Sequence, residues 1–274
     1  MPELPEIHTT VSGLQLIINK HITNIKINTK KLRYLVPKKI NKISKNRKII
    51  RVYRIAKYVL LELSGNVTLI FHLGMSGRIR LLKINDYKVI KHDHILIYLN
   101  QKNIIVFNDP RKFGFIDYSK SSNLKNKKYL LKLGLDPFDK KLNKDYLLSN
   151  FKNSKSSIKQ LLLNQRIISG IGNIYACEIL YDARISPLIL GCQLNIGMID
   201  KLLISIRNIL DKAILSGGTT IRNYTSIDGT LGNFQTKFKV YNRENEKILN
   251  HKIKRIKQSG RSTFYCPNLQ KIDN

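Results

Sequence analysis

The sequence is short of cysteine, of acidic residues and of long apolar runs, and each shortage excludes a class of protein. Its three cysteines, Cys177, Cys192 and Cys266, stand far apart. They build neither a disulfide framework nor a Cys-x-x-Cys metal knuckle, so reduced thiols are expected. No window approaches the roughly 18 consecutive apolar residues that a membrane span requires. The chain opens with Pro2, Glu3 and Glu6 where a secretion signal would place a basic and then an apolar region. A cytoplasmic protein without a membrane partner is expected.

The shortage of acid is the most consequential. Eighteen Asp and Glu face 49 Lys and Arg, a net charge of 49 − 18 = +31. Such an excess attracts a polyanion, with nucleic acid the leading partner. Lys, Ile and Asn are abundant along the whole chain, as an AT-rich genome would also produce, so the charge supports DNA binding without establishing it. The 42% hydrophobic content over 274 residues is enough for two packed domains.

Pro5 and Glu6 followed by Ile7, Val11, Leu14 and Ile18 predict a helix that opens on Pro and an acid and carries an apolar stripe. From about residue 24 to 118 short runs rich in Ile, Val, Tyr and Leu predict the strands of a sandwich or barrel, among them Ile50 to Arg54, Tyr58 to Leu63, Val67 to Leu73 and Ile104 to Phe107. The polar stretch Ser119 to Lys128 has little to bury and is expected as a linker. Beyond it, Ile158, Leu161 and Leu162, then Ile174 to Tyr181, then Met198 to Ala213 predict helices. Strand-like alternation returns from Lys237 to Tyr265, and the basic run Lys252, Lys254, Arg255 and Lys257 suggests a hairpin on DNA. The expected fold is α+β, divided into an N-terminal β-sandwich with flanking helices (1–130), a helical domain (131–236) and a C-terminal β-hairpin (237–274).

The first residues carry the chemistry. Loss of Met1 would leave Pro2 with a secondary amine, and an α-amino group titrates near 8, so a useful fraction is a neutral nucleophile at cellular pH. Attack on the anomeric carbon of a deoxyribose would expel the base and leave an iminium, which acidifies the adjacent C2′ protons and opens a route to elimination. Glu3 stands next to that amine and can move protons. Alone, Pro-Glu-x-Pro-Glu would only start a helix.

Five segments stand together: Pro2-Glu-Leu-Pro-Glu6, Ala56-Lys57-Tyr58, His72-Leu-Gly-Met-Ser-Gly77, Asp109-Pro-Arg-Lys-Phe-Gly114 and Gly170-Ile-Gly-Asn-Ile-Tyr-Ala176. In order and spacing the chain resembles the formamidopyrimidine-DNA glycosylase family from Met1 to about Lys271. The resemblance implies a monomeric, bifunctional repair enzyme of the bacterial nucleoid that excises oxidised purines, chiefly 8-oxoguanine and formamidopyrimidines, from damaged double-stranded DNA and then nicks the abasic strand. It assigns Pro2 as Schiff-base nucleophile, Glu3 as acid/base and Lys57 as proton donor in β-elimination. Met75, Arg111 and Phe113 resemble the trio that fills the space of an everted nucleotide, an apolar and an aromatic wedge plus a hydrogen-bonding cation. Core packing is the alternative for Met75 and Phe113, but Phe113 lies in a Pro- and Gly-flanked turn among charges. Asn173, expected as helix cap and phosphate ligand, belongs to a helix–two-turn–helix clamp. His92, Lys155 and Lys159 fall where the family touches the DNA backbone. Gly217-Gly218-Thr219-Thr220 and the stretch Arg222 to Gln235 resemble the loop that closes over the everted base. An endonuclease VIII-like enzyme for oxidised pyrimidines is the nearest alternative; Leu4 and the Met-Arg-Phe trio speak against it. Retention of Pro2, Glu3, Lys57 and Arg261 speaks against a non-catalytic DNA-binding relic.

The family usually ends in a zinc finger of four cysteines, and here the chain departs from it. The ligand positions fall near Ile248 and His251 and at Cys266 and Leu269. Only Cys266 and His251 remain as metal-binding types, whereas a structural zinc needs four ligands. Loss of zinc and no cofactor are expected, with Ile248, Leu249 and Leu269 packing in its place. Arg261, in Arg-Ser-Thr-Phe-Tyr-Cys266, stands for the finger arginine that the family uses on the lesion phosphates and in δ-elimination.

Overall fold

The computed structural model describes residues 2–100, 102–219 and 233–271. The chain divides into two compact units, Met1–Leu131 with Ser216–Gln235, and Lys132–Leu215 with Thr236–Asn274. The three-part division expected from the sequence is therefore not the one found. Residues 216–235 return to the first unit, and the C-terminal hairpin belongs with the helices.

The first unit opens with helix α1, Leu4–Gly13. Two four-stranded antiparallel sheets follow from strands β1 (Ile22–Ile27), β2 (Ile49–Ile55), β3 (Tyr58–Leu63), β4 (Val67–His72), β5 (Arg78–Lys83), β6 (Asp93–Leu99), β7 (Asn103–Asn108) and β8 (Phe115–Lys120). One sheet has the order β1-β6-β7-β5 and the other β2-β3-β4-β8. Alternation along the strands explains the layering. Val59, Leu61 and Leu63 of β3, Leu69 and Phe71 of β4, Ile95, Ile97 and Leu99 of β6, and Ile105 and Phe107 of β7 share one core with Ile7 and Val11 of α1. A short helix, α2 (Ile40–Ser44), adds Ile40 to that core. The expected linker is structure instead. Residues Ser121–Asn126 form a 3-10 turn and Lys128–Leu131 form helix α3, with Leu124 and Leu130 as their buried anchors. Two apolar side chains suffice for so short a segment, and such sparse anchors leave no period in the sequence.

The second unit contains helices α4 (Lys144–Phe151), α5 (Ile158–Leu163), α6 (Asn173–Asp182) and α7 (Ile196–Leu215). Helix α7 buries Ile199, Leu202, Ile206, Ile209, Leu210 and Ala213, the three- and four-residue spacing of one helix face. It packs on α4 and α6. The chain ends in the small strands β9 (Lys247–Ile248) and β10 (His251–Lys252) and the hairpin β11 (Lys254–Gln258) and β12 (Arg261–Tyr265). Among the described residues no helix is long and apolar enough to cross a membrane.

The root of the hairpin segment hangs on one buried carboxylate. Glu178 of α6, 1% exposed, accepts the backbone N–H groups of Lys239 (2.9 Å), Val240 (3.0 Å) and Tyr241 (2.8 Å). Burial raises its pKa, and the three donors oppose that shift. The substitution Glu178→Gln replaces one of the two acceptor oxygens with a donor facing N–H groups. It is expected to cost roughly 2–3 kcal/mol and to lower the urea midpoint. An unchanged midpoint would remove Glu178 from the anchoring role.

Candidate active site

The residues singled out in the sequence fall into two groups, one in each unit. In the first unit the chain's opening is buried. Glu3 is 2% exposed and Glu6 1%, at the start of α1, which packs on β2 and β3. The carboxylate of Glu6 faces both ways. One oxygen accepts the Glu3 N–H at 2.8 Å, and the other accepts the N–H and the hydroxyl of Thr219 at 2.8 and 2.9 Å. Gly218 passes so close that a Cβ there would stand 3.0 Å from the same carboxylate, and its φ of +74° is one that side chains resist. Beyond this stem, Thr220 and residues 222–232 of the expected closing loop lie outside the described residues, as does Met1.

Lys57 occupies the two-residue turn between β2 and β3, and only 7% of it is exposed. Its neighbour Tyr58 pairs with His72 across the ladder, and His72 pairs with Phe115. The His72 ring stacks on Phe115 with centroids 5.5 Å apart and planes 17° apart. Its Nδ1 accepts the Gly74 N–H at 3.1 Å, which places the proton of the neutral ring on Nε2. Burial first, then the positive charges of Arg33 and Lys57, pushes its pKa down to about 4. The ring stays neutral beside the lysine, where a second cation would repel.

The space-filling trio is mounted on one buried acid. Asp109, fully buried, accepts from the Ser76 hydroxyl (2.5 Å) and the Arg111 N–H (3.3 Å) on one oxygen and from the Gly114 N–H (2.7 Å) on the other. It thereby ties the turn holding Met75 to the turn holding Arg111 and Phe113. The two turns touch backbone to backbone at Gly74, where a Cβ would meet the Gly114 nitrogen and the Phe113 carbonyl carbon at 2.4 Å. Met75 and Phe113 are 45% and 43% exposed, so neither is a core residue, and the Arg111 guanidinium sits 4.6 Å from the Phe113 ring centre. His92, with φ of +75°, joins them through its carbonyl, which accepts the Asp109 N–H at 3.1 Å.

In the second unit, Lys155 is exposed just before α5, and Arg261 is exposed at the start of β12. The turn between α5 and α6 is stapled by Gln165, whose side chain accepts from the Gly170 N–H (2.9 Å) and donates to the Ile171 carbonyl (2.8 Å). Two expectations change here. Asn173 is the first helical residue and not the cap, which is Gly172, and its amide donates to the Ser262 carbonyl at 2.9 Å. Lys159 is not on the surface. It is 1% exposed, and its ammonium donates to the Ser262 carbonyl (3.1 Å) and the Thr263 hydroxyl (2.6 Å). Ile158, Leu161 and Leu162 of the same short helix are buried as well.

The four positions that match the family's zinc ligands can be judged as donors. Ile248 and Leu269 pack against an apolar cluster of Cys177, Tyr181, Val240, Ile253, Phe264 and Cys266. The Cys266 thiol is fully buried in that cluster, and its N–H donates to the Gln270 side chain at 2.8 Å. Two of the four side chains have no donor atom, so this set does not fit a tetrahedral metal. Leu249, expected to pack, is 68% exposed.

Sequence reasoning missed Glu6 as a double anchor, Ser76 and Asp109 as the joint of the two turns, and His72 as the neighbour of Lys57. All four lie inside the quoted motifs. Gln165 and Glu178 carried no signal.

Residues 1–116 match the family model of the formamidopyrimidine-DNA glycosylase N-terminal domain, and residues 133–225 match that of the formamidopyrimidine-DNA glycosylase H2TH domain. The chain is 41% identical over 273 residues to the formamidopyrimidine-DNA glycosylase of Zymomonas mobilis, covering 99% of this chain and 100% of that one. It is likewise 41% identical to that of Rickettsia conorii, covering 98% and 99%. Among solved structures it is similar to a mutant of Lactococcus lactis Fpg in complex with Fapy-dG containing DNA, with a TM-score of 0.91, 31% identity and coverage of 99% and 100%. The same protein with abasic site containing DNA gives a TM-score of 0.90 at 31% identity, covering 98% and 100%.

The buried imidazole sets a pH dependence. Above about pH 6.5 His72 is neutral folded and unfolded; below it the unfolded chain takes up a proton that the fold refuses until about pH 4. Stability is therefore lost as pH falls through that window, at about 1.4 kcal/mol per unit. Urea melts at pH 7.5 and 5 should show His72→Asn losing roughly 2 kcal/mol less than the unsubstituted chain. Parallel losses in the two proteins would contradict the assignment.

Proposed function

This chain belongs to the formamidopyrimidine-DNA glycosylase family and is a base-excision-repair DNA glycosylase, and we propose that it works through a Schiff base on Pro2 followed by strand cleavage. The observation that carries the proposal is the burial of Pro2 and Glu3 at the start of α1, with the Glu3 backbone held by Glu6. A terminus ordinarily frays unless it is tied down, and this one is tied at the residue next to the proposed nucleophile.

After loss of Met1 the Pro2 nitrogen attacks C1′ of the damaged nucleotide. The C1′–N bond forms, the glycosidic bond breaks, and the base leaves as its proton arrives; Glu3 is the group placed for that transfer. The sugar ring opens to an iminium. That cation acidifies C2′, whose proton is lost as the C3′–O bond breaks and the phosphate leaves. Lys57 serves this elimination from a turn where the neutral His72 adds no further cation. Arg261 serves the second elimination through the lesion phosphates. Met75, Arg111 and Phe113 fill the space of the everted nucleotide, and the exposure of all three supports that use. Oxidised purines are the proposed substrates, with DNA approached by a monomer in the cytoplasm at the nucleoid. His92, Lys155 and Asn173 are the proposed backbone contacts.

We also infer that the finger works without zinc. The apolar packing of Ile248 and Leu269 about Cys266 supports this reading, because side-chain packing then supplies what a metal supplies elsewhere.

Two measurements follow. Incubation with a duplex bearing 8-oxoguanine opposite cytosine, followed by borohydride, should trap a covalent adduct that Pro2→Gly abolishes; folded protein giving neither adduct nor nick would overturn the mechanism. Elemental analysis of the purified protein should find far less than one zinc per chain, and a chelator should leave its melting temperature unchanged. One tightly held zinc per chain would refute the zincless finger.

A further inference from the structure

A lysine is almost never fully buried unless its charge is met, because moving an ammonium out of water costs several kcal/mol. Lys159 is 1% exposed, so its two acceptors in the hairpin matter. They are the Ser262 carbonyl and the Thr263 hydroxyl, both within the strand that begins with Arg261. Asn173 donates to the same Ser262 carbonyl from the start of α6. The turn and the opposite strand are held as well, since Gln160 of α5 donates to the Ser259 hydroxyl of the turn and Gln258 donates to the Pro187 carbonyl at 3.0 Å. Lys159, Gln160 and Arg261 together line a cavity of about 230 Å³ with Leu163, Asn164, Gln258 and Ser259.

Arg261 thus projects from a backbone that is fixed one residue further on by two donors from two helices. We infer that Lys159 is a positioning residue for Arg261. It acts through the Ser262 carbonyl and the Thr263 hydroxyl together and touches no DNA. A hairpin without a metal at its base has this cationic latch at its tip. The inference rests on the reading of Arg261 as a ligand of the damaged strand's phosphates. Its consequence is that the surface arginine and the buried lysine form one functional unit, although only one of them meets the polyanion.

The test is the salt dependence of binding to a duplex carrying a tetrahydrofuran abasic analogue, measured on the full chain, Lys159→Met, Arg261→Gln and the double variant. Each phosphate contact contributes about 0.9 to the slope of log K against log salt. Each single variant should lose about one unit of slope, and the double variant should lose no more than either. A double variant losing about two units would mean that Lys159 touches phosphate itself, which overturns the inference. So would an unchanged slope in Lys159→Met alone, the result of a merely structural role. An unchanged slope in Arg261→Gln would overturn the reading of Arg261 and the inference with it. Should Lys159→Met fail to fold, Thr263→Val decides, since it removes one acceptor and keeps the side-chain shape: a reduced slope is expected, and an unchanged one overturns the latch.

Discussion

The carboxylate of Glu6 is the interaction on which the rest of the first unit's site depends. Chain termini ordinarily fray, so the proposed reaction at the N-terminus requires that the terminus be held by its backbone, because no side-chain rotamer can aim it. Glu6 meets the requirement with one oxygen on the Glu3 N–H and the other on Thr219. Both partners come from the same unit, although 213 residues separate Glu6 from Thr219 in sequence. Gly218 and Thr219 are joined to the start of α1 by this bond and by their close approach.

The same device recurs elsewhere in the protein. Asp109 joins two turns so that Met75, Arg111 and Phe113 can stand out from them. Glu178 gathers three backbone donors at the root of the C-terminal segment. Lys159 closes on the strand of Arg261 from within. In each case a charged group is buried with its hydrogen bonds met, and removing one partner leaves the other unsatisfied at a cost of several kcal/mol. Rigidity at the exposed residue is thus supplied by a satisfied charge beneath it.

Much of the fold was legible in the sequence, and the residues proposed for the chemistry sit in contiguous motifs. Pro2, Glu3, Lys57, Met75, Arg111 and Phe113 are each flanked by residues that define their turn, and the strands and long helices followed from period. What was not legible depends on burial. Lys159 reads as one more cation in a basic chain, and its burial shows only in the acceptors it meets at Ser262 and Thr263, more than a hundred residues away. Glu178 stands in an apolar helix with no local hint of the three amides it receives from more than sixty residues away. The stretch Ser119 to Lys128 reads as a linker because short turns need few anchors. At the finger, two positions without donor atoms were visible, but the cluster that receives them was not.

The central claim is that the reacting atom is the nitrogen of Pro2. Mass analysis of the tryptic peptides after reductive trapping on abasic DNA and nuclease digestion addresses it directly. The N-terminal peptide is expected to begin at Pro2, end at Lys20 and carry the reduced sugar remnant on its first residue. A remnant found on the lysine of another peptide, Lys57 above all, with Pro2 unmodified, would contradict it.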